Sequence, residues 1–154
     1  MQTMLRCASK NFGIVEYDAG SVITFPRGLP GFESETLFVP VEREGSKPVL
    51  FLQSVVTPHL CFITLPVESI EPAYELRVSE EDLQVIGATS GTPASLRCLA
   101  VVCTGHGRPT ANLLGPVVIN QETHQAVQSV RDDARYAVEH PLFPESESEA
   151  GECS

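Results

Sequence analysis

Short β-prone runs separated by turn residues constrain this chain more than any other feature of its sequence. Most of the runs are bounded by Pro, Gly, Asn or Ser, and their even spacing is typical of an all-β barrel or sandwich. The runs are Phe12–Asp18, Ser21–Phe25, Thr36–Val41, Val49–Val55, Leu60–Leu65, Ala73–Val78, Arg97–Thr104, Asn112–Asn120 and Gln125–Arg131. We therefore expect a small, mainly antiparallel β-barrel.

Two local signals refine this expectation. The turn sequence Asp18-Ala19-Gly20-Ser21 predicts a hairpin between the runs Phe12–Asp18 and Ser21–Phe25. A short helix is predicted from Ser79 to Ile86, because Ser79 can cap its N-terminus and three acidic residues occupy its first turn. Their expected role is capping rather than catalysis.

The length of the chain allows one domain of ordinary size. A chain of 154 residues with 42% hydrophobic residues can bury about 70% of its unfolded surface. The last segment, Pro144–Ser154, has four glutamates and no basic residue, which predicts disorder. We therefore expect a folded domain over residues 1–143 and an acidic tail over residues 144–154.

Charge and hydropathy limit the kinds of partner that the chain can bind and the compartment in which we expect it. The chain has 20 acidic and 10 basic residues, a formal charge of −10, which disfavours direct binding to nucleic acid. Its longest apolar runs, such as Leu99–Cys103, are far too short to cross a bilayer, and no signal peptide is recognisable. A cytoplasmic location is expected, and the five cysteines are expected to be free and buried as small hydrophobic residues.

No set of residues meets the requirements of a catalytic or metal site, and no cofactor is expected. His59 and Cys61 could share a strand face, but a third ligand at usable spacing is missing. His106 and Arg108 lie in the glycine-rich segment Thr104–Arg108, whose better interpretation is the tip of a hairpin. An enzymatic or ligand-binding barrel with a site near His106 and Arg108 remains the alternative.

Two segments suggest contact surfaces for a protein. The Phe25–Glu33 loop, with its prolines and glycines, holds two phenylalanines; either both plug the end of the barrel, or one of them meets a partner. The segment Glu68–Asp82 holds six acidic residues against one basic residue, Arg77. A solvated face is its default interpretation, although such a patch could also steer a basic partner.

The order and spacing of several short strings resemble the FliW family of flagellar assembly factors over about residues 12–142. The strings are Phe12-Gly13, Phe25-Pro26-Arg27-Gly28-Leu29-Pro30-Gly31-Phe32-Glu33, Leu52-Gln53-Ser54, Phe62, Pro66, Pro72-Ala73-Tyr74, Asn112-Leu113-Leu114-Gly115-Pro116-Val117-Val118-Ile119-Asn120, Gln128, Tyr136 and His140-Pro141-Leu142. The chain departs from the family at Leu65 and Ala73, where an acidic residue is common.

The resemblance implies a compact antiparallel barrel without enzymatic activity that binds two proteins. One is CsrA, a basic RNA-binding dimer that represses translation of flagellin mRNA; the other is flagellin. The resemblance further implies that flagellin held in the cytoplasm occupies such a protein, and that export of flagellin frees it to antagonise CsrA allosterically. A flagellin chaperone without a regulatory role is a further alternative. The residues expected to contact a partner are Phe32, Glu33, Glu68, Glu71, Glu75, Glu80, Glu81, Asn112 and Leu113.

Overall fold

Strands dominate the regular structure in residues 4–88, 95–105 and 107–143, the part of the chain that the computed structural model describes. The strands are β1 (Met4–Ser9), β2 (Gly13–Asp18), β3 (Ile23–Thr24), β4 (Leu37–Glu42), β5 (Leu50–Ser54), β6 (Cys61–Pro66), β7 (Leu96–Cys103), β8 (Thr110–Ala111), β9 (Val117–Asn120), β10 (Gln125–Gln128) and β11 (His140–Pro141). The helices are α1 (Val67–Ile70) and α2 (Glu80–Val85), with 3₁₀ turns at Ala19–Ser21 and Glu44–Ser46. Within these residues, no helix has the length and apolar character needed to span a membrane.

Seven of these strands close into a barrel, which confirms the predicted fold class. Strands β3 to β7 pair in sequence order, each antiparallel to the next. Strand β10 joins β3 in parallel, and β9 joins β10 antiparallel. The barrel closes where β9 pairs with the first half of β7, from Leu96 opposite Asn120 to Leu99 opposite Val117.

Strand β7 changes partner along its length, and this change opens one end of the barrel. Beyond Leu99 it leaves β9, and its last residues pair with the two-residue strand β8. Strand β11 then extends the sheet beyond β8, while β1 and β2 form a separate hairpin. The inside of the barrel is filled by Ile23, Phe25, Leu29, Phe38, Leu50, Leu52, Leu99, Val117, Ile119 and Ala126.

The predicted hairpin between Phe12–Asp18 and Ser21–Phe25 is wrong, although the turn between them exists. The Asp18 carboxylate accepts a hydrogen bond from the Gly20 N–H at 3.1 Å, as expected for a capped turn. The chain on either side of this turn enters different sheets. Strand β2 pairs with β1, and β3 pairs with β4 and β10.

One other predicted strand does not exist, and another is shorter than predicted. Residues 73–78 form no strand, and the Glu75 N–H instead donates to the Tyr136 hydroxyl at 3.1 Å. The predicted strand Asn112–Asn120 is extended only from Val117, because the Asn112 side chain accepts from the N–H groups of Leu114 and Gly115 and forms a turn.

The predicted helix is confirmed. Its N-cap is Ser79, whose hydroxyl accepts from the Asp82 N–H at 3.1 Å, and Ile86 follows its last residue as a fully buried side chain. Ile86 packs against Val118 and Val127 on the outer face of β9 and β10. The acidic tail from Pro144 onward lies outside the described residues, as does His106.

Candidate protein-binding surface

The Phe25–Glu33 loop closes the open end of the barrel with one phenylalanine and displays the other. Phe25 is fully buried and meets the Phe38 ring edge-on at 5.3 Å between centroids. Reciprocal backbone hydrogen bonds between Leu29 and Phe32 form a tight turn that directs Leu29 into the core. Phe32 keeps 42% of its surface exposed and touches Phe62 edge-on at 5.6 Å. The plug interpretation therefore holds for Phe25, which is fully buried, and is wrong for Phe32, which the Leu29–Phe32 turn leaves partly exposed.

A groove of about 220 Å³ runs beside Phe32. It lies where β7 separates from β9, so strands do not cover this part of the barrel interior. Its lining residues are Leu29, Pro30, Phe32, Phe62, Val101, Cys103, Thr110, Asn112, Gln128, Val138 and Glu139. Phe32 and Val138 are exposed at the groove, which gives the protein an apolar strip accessible to a partner.

An arginine connects this loop to the acidic face of α2. The Arg27 guanidinium lies 3.2 Å from a Glu81 carboxylate oxygen and 3.5 Å from one of Asp82. Asp82 also accepts from the Ser129 hydroxyl at 2.8 Å, which fixes the helix against β10. The exposed acids Glu80 and Glu81 are thereby held beside the loop that carries Phe32.

The acidic segment Glu68–Asp82 is partly neutralised by arginines. Glu75 pairs with Arg135, while Glu81 and Asp82 pair with Arg27. Among the described residues, Glu68, Glu71 and Glu80 make no ion pair; Glu68 and Glu80 are exposed, and Glu71 is half-buried. The negative field of this segment is therefore weaker than its composition suggests, and it is divided between the region of α1 and the N-terminus of α2.

The remaining predicted contact residues have different accessibilities. Glu33 is exposed, and its carboxylate accepts from the Gly31 N–H at 3.1 Å. Asn112 lines the groove, although its side-chain oxygen is engaged in the turn described above. Leu113 is fully buried beneath Tyr74, whose hydroxyl donates to the Leu113 carbonyl at 2.7 Å. The Leu113 side chain thus supports the fold and is not available to a partner in this conformation.

Sequence reasoning missed a cluster built around Arg131. Its buried guanidinium binds Asp133, donates to the Glu75 carbonyl, and lies 4.8 Å from the centre of the Tyr136 ring. Tyr136 in turn stacks on Tyr74 at 4.4 Å. This cluster joins the acidic segment to the chain that follows β10. The signal for this cluster in the sequence is Arg131, which lies two residues before Asp133.

In the described residues, no group of three or more histidines, cysteines, aspartates or glutamates could hold a metal ion. Burial raises the pKa of Cys98 to about 12 and also raises the pKa values of Cys7 and Cys61. Cys103 is exposed in the groove, contrary to the expectation that the cysteines are buried. Arg108 is exposed on the segment between β7 and β8, which form the predicted hairpin.

Comparisons with known proteins agree on one family. The family model described as FliW protein matches residues 6–142. The chain is 31% identical to the flagellar assembly factor FliW of Heliobacterium modesticaldum, over 94% of each chain. It is 32% identical to the protein of the same name from a Geobacillus species, over 92% of this chain and 97% of the relative. A crystal structure of the flagellar assembly factor FliW superposes with a TM-score of 0.83 at 30% identity, covering 92% of this chain and 99% of that one.

Proposed function

Because this chain belongs to the FliW family, we propose that it is a flagellar assembly factor that acts by binding partner proteins rather than by catalysis. Its place of action is the cytoplasm, where flagellin is held before export. The folded domain of residues 1–143 carries this function. Nothing in the proposal requires a cofactor, a membrane or direct contact with nucleic acid.

The partners are CsrA and flagellin. Binding to CsrA relieves the repression of flagellin translation, and binding to flagellin makes this activity respond to the amount of unexported flagellin. The net charge of −10 suits a basic partner such as CsrA, because opposite charge accelerates encounter. The same charge opposes direct competition for RNA phosphates.

One observation carries the proposal: an accessible apolar groove lies next to exposed carboxylates. Phe32 and Phe62 provide an aromatic contact, and Glu139 lines the same groove. Arg27 brings Glu80 and Glu81 to the other side of the loop. Protein interfaces commonly combine a buried apolar centre with a charged rim, and aromatic residues dominate their energy.

The decisive experiment measures binding of the full chain to purified CsrA and, separately, to flagellin. We expect CsrA to bind this protein. We also expect a complex of CsrA with a flagellin leader RNA to release the RNA when this protein is added. Phe32→Ala should weaken binding to at least one of the two partners. Ile14→Ala is the matched control, because Ile14 is also an exposed apolar residue but lies on β2, away from the groove.

The outcomes separate the alternatives. Binding to flagellin without binding to CsrA would make the protein a chaperone without a regulatory role. Binding to neither partner would contradict the proposal. It would favour the alternative, an enzymatic or ligand-binding barrel with a site near His106 and Arg108. An effect of Ile14→Ala equal to that of Phe32→Ala would show that the groove is not the contact.

A further inference from the structure

The end of the barrel opposite the Phe32 groove contains a second cavity. This cavity differs from the groove because an arginine lines it. Arg97 lies opposite Ile119 in the β7–β9 ladder, at the end of β7 remote from Cys103 and the groove. The cavity at this end measures about 220 Å³. Its lining residues are Ser21, Ile23, Pro40, Leu50, Arg97, Ile119, Gln121 and His124.

Arg97 is half-buried, yet it makes no ion pair or hydrogen bond through its side chain with any other described residue. By contrast, Arg27, Arg131 and Arg135 each bind a carboxylate. Glu68 shares a neighbouring depression with Arg97 but does not pair with it. The chain has twice as many acidic as basic residues, and an arginine with no counter-ion among the described residues is available to an external one.

The surroundings of Arg97 define the chemistry that fits the cavity. Ile23, Leu50 and Ile119 are almost fully buried and form an apolar floor. Gln121 and His124 are exposed at the rim, and both side chains offer N–H donors, His124 in either protonation state. The His124 backbone is held by hydrogen bonds with Asn120 and Thr24, so its position at the rim is fixed. In the described residues, no carboxylate lines this cavity.

We propose that this Arg97 cavity binds an acidic side chain of a protein partner, with the neighbouring apolar atoms of that partner seated on the floor. The guanidinium would hold the carboxylate in a charge-assisted pair. Size favours a side chain over a cofactor, because pockets for whole small molecules are typically about 300–1,000 Å³. The proposal does not depend on the identity of CsrA or flagellin, and it concerns the end of the barrel opposite the Phe32 groove.

The test is an NMR titration of the full ¹⁵N-labelled chain with two capped tripeptides, acetyl-Leu-Glu-Leu-amide and acetyl-Leu-Gln-Leu-amide. Salt near 0.15 M limits repulsion by the negative protein to about 8 Å. The Glu peptide should shift the Arg97 side-chain Nε–H signal and the amides of Ile119 and His124 in a saturable way. The Gln peptide should bind about tenfold more weakly, since it lacks the charge.

Variants make the result specific to the cavity. Arg97→Gln should abolish the preference for the Glu peptide, and His124→Gly, which suits the positive φ of 60° at this position, should reduce it. Arg6→Gln removes the same charge from an exposed arginine on β1 and should change nothing. A wild-type-like amide spectrum establishes that each variant is folded.

Several results would overturn the proposal. They are equal binding of the two peptides, a preference that survives in Arg97→Gln, and shifts scattered away from the cavity. Saturation of the same signals by hexanoate at lower concentration than by the Glu peptide would assign the cavity to a free acid and not to a protein side chain. None of these outcomes bears on the binding of CsrA at the Phe32 end, so the two proposals fail separately.

Discussion

Arg131 and Asp133 form a two-point ion pair across a single intervening residue. Arg131 Nε lies 2.9 Å from Asp133 Oδ1, and Nη2 lies 3.0 Å from Oδ2. The arginine side chain is 1% exposed and the aspartate side chain 29% exposed. The buried guanidinium of Arg131 is therefore paired with a carboxylate that is still in contact with water. Because the carboxylate keeps part of its hydration, the desolvation cost of the ion pair is limited.

We predict that Arg131→Met lowers the free energy of unfolding by about 2–4 kcal/mol. The substitution keeps apolar volume but leaves the Glu75 carbonyl without its donor and removes the cation above the Tyr136 ring. Urea denaturation of both proteins measures the difference. Arg135→Met is the control, because its exposed pair with Glu75 should contribute less than about 1 kcal/mol. Equal losses in the two variants would contradict the importance of the buried contacts.

The same pair predicts a dependence of stability on pH. The Arg131 guanidinium holds the pKa of Asp133 below its ordinary value, so folding favours the ionised carboxylate. This contribution is fully present above the ordinary carboxyl pKa of about 3.9 and is lost as the pH falls through the lower folded value. The stability gap between the wild type and Asp133→Asn should be constant from pH 7 to pH 5 and shrink below pH 4. A gap that widens with acid would reverse the assigned sign.

The sequence predicts the parts of this fold that depend on local pattern. Runs of β-prone residues bounded by turn residues locate the four strands β4 to β7, and Ser79 with its acidic first turn locates α2, because capping is a local interaction. Strand β1 lies outside the predicted runs, although Ser9 and Gly13 mark its turn. The Ser9 hydroxyl accepts from the Phe12 N–H, and Gly13 has a φ of 76°.

The parts that sequence does not predict depend on distant side chains. Residues 73–78 have the composition of a strand, yet Arg131 and Tyr136 occupy the Glu75 backbone groups that a neighbouring strand would use. The orientation of Phe32 likewise follows from the turn that buries Leu29. The spacing of the residues in the sequence does not show which of the two side chains is buried and which is exposed. Of the predicted contact residues, Leu113 shows the same limit, because its burial depends on Tyr74, 39 residues away.

Phe25 and Phe32 should differ in their effect on stability. Phe25→Ala removes a fully buried ring and should cost about 3–5 kcal/mol, whereas Phe32→Ala should cost about 1–2 kcal/mol, since the ring is partly exposed. Chemical denaturation of both variants gives the comparison. A loss of about 4 kcal/mol for Phe32→Ala would restore the plug interpretation for this residue.

The two glycines of the same loop provide a matched pair. Both have positive φ, 66° at Gly28 and 85° at Gly31, so alanine is strained at either position by about 1–2 kcal/mol. At Gly28 a Cβ would also collide with the backbone carbonyl group of Glu33, whereas at Gly31 it would meet nothing within 4 Å. Gly28→Ala should therefore lower stability by about 3 kcal/mol or more, clearly beyond Gly31→Ala. Thermal unfolding that ranks the two variants equally would contradict the tight packing of the loop.

Reversal of two charges on α2 tests the proposed binding of CsrA to this protein. We predict that Glu80→Lys with Glu81→Lys slows association with CsrA by about three- to tenfold at low salt and changes dissociation less, because exposed charges act mainly on encounter. The effect should shrink as salt rises. Arg27 already neutralises part of the charge of Glu81, so Glu80 should contribute the larger share.

The control for this double variant carries the same change in net charge at another place. Glu42→Lys with Glu44→Lys alters exposed residues at the far end of β4 and in the turn that follows. If only net charge matters, the two double variants will slow association equally; if CsrA meets the surface beside Phe32, the α2 variant will be slower. Kinetics measured at two salt concentrations distinguish these results. An association rate that ignores both charge reversal and salt would mean that the carboxylates only solvate the surface, and the contact would then rest on the apolar groove alone.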